Sequence, residues 1–495
     1  MREPPAVRRT AMTKLGPNFA LKVFSDSEVE KIHEEALKLL ENTGMVLEDE
    51  KYRDIMVQKG CKLGPNNELR IPRQMVKEAL ESVPKSFILY NRQGEEACYF
   101  EKNNSYFNPG GCSLSWLEED GVTSRPSLAK DQKIIAQLVE QLPHVRMQSC
   151  TLNMADIPNS VQDQFLTYLS FLHCSKPMVG GYLNYGSLFE LNRVLAAAVG
   201  GEKDLAEKPR IVMDCTPTAP LKWCRLSLAT IWECSEVQMP IEFISVPMPG
   251  SVSPATLAGS ILLHTAETLG GIVFTQAARQ GQKVIYGSAP MYFDMKTMNP
   301  LLAGLESAMM FLGVAQMGKY FGLPTHAYAG LSDSKRVDLQ SGWEDSFTAL
   351  LATLGGVTSL SGLSQLEFCL LVSPEKLVAS NDLIGKFERL RRGIEVTDET
   401  LAAQLIADIG PGGEYVTSKH TMKHFRKEAY FPTEVVDRKT RRESEQPLDT
   451  FQRAQIRKKK LLAEAPADPQ FPHRADMDKA IAEIFKKHGV ALPTI

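Results

Sequence analysis

The sequence predicts an α/β protein built as a closed (β/α)8 barrel, with an N-terminal α+β cap and a C-terminal helical extension. Three observations carry this. Short β-rich runs at residues 145–152, 177–182, 211–215, 241–246, 284–287, 325–328 and 357–360 alternate with helical stretches at 161–172, 188–199, 222–236, 254–280, 301–321 and 340–354. Such alternation marks a parallel sheet covered by helices. An eighth strand is available at either 106–109 or 368–372, and eight units over roughly 250 residues suit a closed barrel better than an open doubly wound sheet. No G-x-G-x-x-G opens a helix after a strand, and residues 250–253 lack the lysine of a phosphate-binding loop, so the pattern is not that of a nucleotide fold. The segmentation is 1–104 for the cap, 105–384 for the barrel and 385–495 for the extension.

Taken in order, the chain opens with a basic stretch, residues 1–9, that lacks the apolar run of a signal peptide. Residues 25–42 form a helix. Ser25 and Glu28 make a capping-box pair, Val29, Ile32, Ala36 and Leu40 share one face, and Gly44 follows the end. Helices at 49–58 and 72–82 come next, the second starting on a proline, whose missing N–H is no loss at that position. Residues 86–91 and 97–100 alternate as a hairpin around Gln93, Gly94 and Glu95. Within the barrel the longest apolar stretch, 256–273, is broken by His264 and Glu267 and reads as a buried helix, not a membrane span. Beyond 384 the chain is helical and charged. Short helices fall at 387–394, 397–409 and 417–428, a Gly-Pro-Gly-Gly turn at 410–413, and a last helix at 476–488.

Composition narrows the function. Of 495 residues, 43% are hydrophobic and 23% charged, and the net charge of −3 gives no footing for nucleic acid or an acidic membrane surface. Nine cysteines form no C-x-x-C and no even framework, in keeping with free thiols in a reducing cytoplasm.

In a barrel of this kind chemistry sits at the C-terminal ends of the strands. The side chains found there include Tyr182 and Asn184, then His326, Tyr328 and Asp333, then Gln365 and Phe368. Tyr182 and Asn184 are two apart, as are His326 and Tyr328, so each pair points to one side of its strand. Together they offer aromatic faces beside hydrogen-bonding groups, which suits a small cation. The same residues also read as packing at strand ends, and His326 as a structural histidine. His420 and His424 share a helix face but lack the glutamate and third ligand of a zinc site, and no G-x-S-x-G elbow occurs. Glu306, Glu344 and Glu367 offer a carboxylate pair of glycosidase type, set against their reading as helix-face charges.

Three segments, GLPTHAYAGLSDSKRVDLQSGWE (322–344), GVTSLSGLSQLEF (356–368) and IGPGGEYVTSKHTMKHFRKEAYFPTEVVDR (409–438), resemble the trimethylamine methyltransferase (MttB) family. Phe107-Asn108-Pro109-Gly110-Gly111 is similar too, and the resemblance spans residues 20–460. It implies a TIM barrel whose founding members carry pyrrolysine near its floor. By segment order that position falls within 361–368, with Gln365 as the single best match. Every residue of this segment is ordinary, as in the non-pyrrolysine members. For those, the resemblance implies demethylation of a quaternary amine: glycine betaine first, with carnitine or proline betaine as alternatives. On that reading Gln365 is the catalytic position, and Tyr182, Asn184, His326, Tyr328, Asp333 and Phe368 bind substrate. The methyl passes to the Co(I) corrinoid (cobalamin) of a separate protein. No D-x-H-x-x-G corrinoid motif occurs in this chain, since Pro324 stands where the motif would place Asp before His326. The expected partners are a small quaternary amine and a cognate corrinoid protein, with no nucleic acid, membrane, metal or tightly bound cofactor. A cytoplasmic homo-oligomer is expected. A non-catalytic betaine-binding protein on the same barrel is the alternative of another class.

Overall fold

The computed structural model describes residues 21–101, 103–182, 184–443, 447–493 and 495, so the basic start at 1–9 lies outside the described residues. Eight parallel strands make one sheet: β1 Tyr106–Asn108, β2 Gln148–Ser149, β3 Met178–Gly180, β4 Ile211–Cys215, β5 Ile241–Ser245, β6 Val284–Ser288, β7 Thr325–Tyr328 and β8 Ser359–Ser361. From β2 onward each strand pairs with its successor, and β8 pairs back with β1, Ser361 opposite Asn108. Across the remaining seam the Met147 N–H donates to Phe107 O (3.3 Å), so the barrel closes.

The eighth strand is therefore the 106–109 alternative. The other alternative, 368–372, contributes only Leu371–Val372, to a separate four-stranded sheet with Gln365–Leu366, Ser115–Leu117 and Ser124–Pro126. Glu367, Phe368 and Cys369 take φ of 46°, 57° and 67°. That left-handed backbone turns the chain and cannot extend a strand.

A helix follows every strand: α1 Ala129–Gln141, α2 Asn159–His173, α3 Ser187–Val199, α4 Arg225–Val237, α5 Leu257–Ala278, α6 Leu305–Tyr320, α7 Leu339–Leu354 and α8 Pro374–Arg392. Among the described residues α5 alone is long and apolar enough to cross a membrane, and most of it is buried between the sheet and the cap helices. The cap begins with helix Asp26–Lys38, closed by the Ser25–Glu28 capping box. The last two helices, Thr450–Glu464 and Arg474–Lys487, return to pack on α8 and α1 and on α3 and α2.

Strand parity sorts the side chains between two interiors. Ile211, Met213, Ile241, Phe243, Val284 and Tyr286 face outward into the main core with the helices. Met147, Val179, Val212 and Ile285 face inward. With Phe87, Leu89, Cys98 and Phe100 they form a second apolar cluster, which places the cap hairpin (Phe87–Tyr90 with Glu96–Phe100) as a plug at the N-terminal end of the barrel.

Candidate active site in the barrel lumen

Above that apolar floor the inward positions turn polar. A narrow cavity opens among Asn108, Ser149, Asp214, Tyr328 and Ser361, walled by the backbone of Gly110, Gly111, Gly180 and Gly181. Asn108 and Ser361 meet because β1 and β8 are paired in that register, and Asn108 Nδ2 donates to Ser361 Oγ (2.9 Å). Asn108 Oδ1 accepts from the Gly110 N–H (2.8 Å), which holds the turn after β1. Ser361 Oγ lies 3.1 Å from His326 Nε2, and Glu242 Oε1 lies 3.5 Å from the same nitrogen. The Tyr328 ring stands edge-on to His326 (5.3 Å, 89°).

The charges of this lumen are set by burial. Burial pushes the Glu242 carboxyl well up, and the neighbouring Asp214 charge adds to the rise. Burial also pushes Asp214 up, against a smaller downward pull from its contact with Glu242. The pair is thus held protonated at neutral pH. Burial lowers His326 to about 3, against a weaker upward pull from the Ser288 backbone, so its ring is neutral. The Tyr328 hydroxyl is raised by burial and then by Asp214. The buried oxygens without a hydrogen-bond partner among the described residues include Asp214 Oδ1, both carboxyl oxygens of Glu242 and Gln365 Oε1. They are acceptors available to a ligand or to water.

The structure brings some of the sequence-predicted residues together and separates others. His326 and Tyr328 face the lumen. Gln365 is fully buried beside it, donating from Nε2 to Gly111 O (2.9 Å) and Ser113 Oγ (3.1 Å). Its side chain occupies the space a Cβ on Gly110 would take: that atom would lie 2.2 Å from Gln365 Oε1, and Gly110 has φ +102°. Phe368 is half-buried in an apolar cluster with Tyr328 and Leu331, and Lys335 Nζ lies 4.8 Å over its ring. Asp333 instead ties two loops, accepting from the Leu302 and Ala303 N–H groups (3.3 and 3.1 Å). Burial raises it to about 7, and Glu344 adds to the rise.

Tyr182 and Asn184 do share one side, but it is the outer one. A Cβ on Gly180, two residues before Tyr182, would meet Ile211 and Cys150 of the outer core. Tyr182 packs in that core with its hydroxyl toward Glu233 of α4 (3.4 Å). Asn184 spends its amide on Asn159 O (2.7 Å) and Asp163 Oδ2 (3.0 Å). A shift of one residue in parity moves a whole strand face from lumen to helix layer.

Sequence reasoning missed Asp214 and Glu242. Their signal was a carboxyl in the middle of each of two apolar strands, IVMDC and IEFIS, where a parallel strand covered on both sides normally runs unbroken. A carboxyl pair exists, but it is not drawn from Glu306, Glu344 and Glu367. Glu344 anchors the Ser332 hydroxyl (2.6 Å) and the Asp333 N–H (2.9 Å).

The family profile described as Trimethylamine methyltransferase (MTTB) matches residues 3–489. A glycine betaine methyltransferase of Desulfitobacterium hafniense (strain Y51) is 30% identical over 473 residues, covering 94% of this chain and 98% of that protein. Trimethylamine methyltransferase MttB of Desulfitobacterium hafniense (strain DSM 10664 / DCB-2) is 28% identical over 424 residues, covering 86% and 85%. Trimethylamine methyltransferase MttB of Methanosarcina thermophila is 29% identical over 412 residues, covering 81% and 84%.

Proposed function

We propose, from the premise that the chain belongs to the trimethylamine methyltransferase (MTTB) family and is a methyltransferase, that it demethylates a quaternary amine and passes the methyl to the Co(I) corrinoid of a separate protein. Glycine betaine is the first candidate, because a relative matched along nearly its whole length is a glycine betaine methyltransferase. Carnitine and proline betaine are the alternatives. The observation that supports this reading is a lumen whose aromatic ring stands beside a carboxyl pair and a histidine that burial keeps uncharged.

A quaternary ammonium has no lone pair, so it can be neither protonated nor bound to a metal. Its methyl leaves by direct displacement. The C–N electrons stay with nitrogen, which departs as a neutral tertiary amine, and the Co(I) substrate supplies the electron pair of the new bond. The chain's own residues then bind the cation, aim one methyl at the mouth and exclude water. The Tyr328 face is the cation contact, worth about 0.5–2 kcal/mol. A neutral carboxyl pair suits the chemistry. A full negative charge beside the ammonium would stabilise the ground state more than a transition state that is losing its positive charge. Neutral His326 likewise does not repel the cation. Gln365 is assigned to positioning, with Oε1 as its free acceptor. Lys335, above Phe368, is assigned to the carboxylate of a betaine in place of Asn184, whose amide is already engaged.

The test is a substrate panel with a reduced corrinoid protein, scored by mass spectrometry for the amine that has lost one methyl. Loss from glycine betaine supports the full reading, and loss from carnitine or proline betaine alone moves the substrate. Loss from trimethylamine, with every quaternary amine intact, overturns the quaternary reading.

A further inference from the structure

At the N-terminal pole of the barrel, away from the lumen opening, four separate segments enclose a cavity of about 200 Å³. Arg92 comes from the turn of the cap hairpin, Glu140 from the last turn of α1 and His173 from the end of α2. Pro466 and Asp468 come from the link between helices Thr450–Glu464 and Arg474–Lys487.

The polar groups around this cavity are unevenly satisfied. The carboxylates have partners. Glu140 accepts from the Ser175 N–H through Oε2 (2.7 Å) and from the Ser175 hydroxyl through Oε1 (2.8 Å). Asp468 accepts from Arg474 Nη1 (2.9 Å) and Gln470 Nε2 (2.7 Å). The nitrogens are less complete. Arg92 Nη1 donates to Phe171 O and Leu172 O (2.5 and 3.0 Å), at the C-terminal end of α2. Its Nε is buried without a hydrogen-bond partner, and no carboxylate bonds the guanidinium among the described residues. The Phe471 ring, 4.0 Å from the guanidinium carbon, covers one of its faces. His173 is 7% exposed, and its Nδ1 is buried without a partner among the described residues. Burial takes that ring down to about 4, so it is neutral, and Lys133, Arg474 and Arg92 push it the same way against a weaker pull from Asp468. A buried donor left unpaired costs about 1–3 kcal/mol. The cavity is thus positive in potential and short of acceptors.

We propose that this cavity binds a small organic carboxylate, at a site separate from the lumen. The open edge of the Arg92 guanidinium would take the carboxylate, because its planar fork matches that group, and His173 would donate alongside. Ala465, Pro466 and Pro469 would cover the carbon end. The space falls below the roughly 300–1,000 Å³ of pockets for drug-sized ligands, so the occupant is a short-chain acid. A cation would meet Arg92 and the field of Lys133 and Arg474, with both carboxylates already engaged. Inorganic phosphate would leave the apolar wall uncovered. None of these groups lies in the lumen, so the site is independent of methyl transfer.

The experiment is calorimetric titration of the full chain near neutral pH with butyrate and, separately, with inorganic phosphate, using variants shown folded by circular dichroism. Butyrate is expected to bind once per chain. Arg92→Gln should weaken it about 10- to 100-fold, the range of a charge-assisted hydrogen bond, and His173→Phe about 2- to 10-fold. Arg92→Lys keeps the charge and loses the fork, so its affinity should fall between wild type and Arg92→Gln, and it serves if Arg92→Gln frays the end of α2. Glu140→Gln removes a negative charge from the wall and should tighten binding about 2- to 5-fold. Lys335→Gln, at the lumen, should leave it unchanged. Four outcomes overturn the proposal: no saturable binding of butyrate at millimolar concentration, binding unmoved by both Arg92→Gln and His173→Phe, phosphate held more tightly than butyrate, or binding lost in Lys335→Gln. The third would assign the cavity to an inorganic anion, and the fourth would place the carboxylate in the lumen.

Discussion

Replacing Asp214 by asparagine tests whether the lumen is kept uncharged. A carboxyl whose folded pKa is raised keeps a proton that the unfolded chain releases, so folding stability falls as pH rises from the unfolded value toward the folded one. For Asp214 the folded value is about 8, with burial as its main cause, and an unfolded aspartate titrates near 3.9. Across the window between them, each pH unit removes about 1.4 kcal/mol per proton. From about pH 5 to about pH 8 the wild type should therefore lose roughly 2–4 kcal/mol relative to Asp214→Asn, allowing for relaxation around the pair. Asparagine cannot ionise, and Glu242 stays raised by its own burial in the variant, although losing the Asp214 charge lessens that rise, so its contributions do not fully cancel. The assay is urea denaturation of both proteins at several pH values in that window, compared as a difference in stability. A gap that widens in favour of the variant as pH rises is the expected result. Parallel curves would refute the reasoning, because the pair would then be ionised in the folded protein, and the argument for weak ground-state binding of the cation would fail with it.

Other predictions use the same geometry. Tyr328→Ala should weaken binding of a quaternary amine about 2- to 30-fold, the range of one cation–π contact, measured by calorimetry with glycine betaine. Tyr182→Ala should leave that affinity unchanged and lower stability by about 2–4 kcal/mol, since the ring packs in the outer core. Equal losses of affinity in the two variants would contradict the parity assigned to β3. Gly110→Ala places a Cβ 2.2 Å from Gln365 Oε1 at a φ of +102°. It should cost about 2–4 kcal/mol of stability through backbone strain and the displaced amide, and it should lower the demethylation rate more than Gly111→Ala does. Because burial takes His326 down to about 3, amine binding should show no His326-dependent step between about pH 5 and pH 8. A step in that range that disappears in His326→Gln would place the charged form of the ring in the lumen.

Much of the barrel was legible in the sequence because its signals are local. Runs such as 241–246 and 325–328 are short, apolar and bounded by turn residues, and each is followed by a helical period. The choice of eighth strand was not legible, because 106–109 and 368–372 look alike as runs. They differ only in the left-handed backbone at Glu367, Phe368 and Cys369 and in which neighbour pairs with β8. The site divided along the same line. His326 and Tyr328 share one side of their strand, and that side is the lumen. Tyr182 and Asn184 were paired correctly with each other, but the absolute face of a strand depends on what lies opposite it, here Ile211 and Cys150 on the outer side. Asp214 and Glu242 left a mark in the sequence, an acid inside an apolar strand, but their meeting depends on the register of β4 against β5. The Gly110–Gln365 contact joins positions 255 residues apart, as do the neighbouring bonds from Ser364 Oγ to Pro109 O, and no local pattern announces it.

The central claim is methyl transfer from a quaternary amine to a corrinoid, and its most direct measurement is stoichiometric. The protein is mixed with a Co(I) corrinoid source and glycine betaine, the cobalt absorption is followed, and dimethylglycine is quantified at the end. The account predicts that methylated corrinoid and dimethylglycine appear one for one, and that neither forms without the protein. If protein-bound Co(I) corrinoid stays unmethylated with glycine betaine, carnitine and proline betaine alike, while the protein is folded and binds one of them, the claim is contradicted.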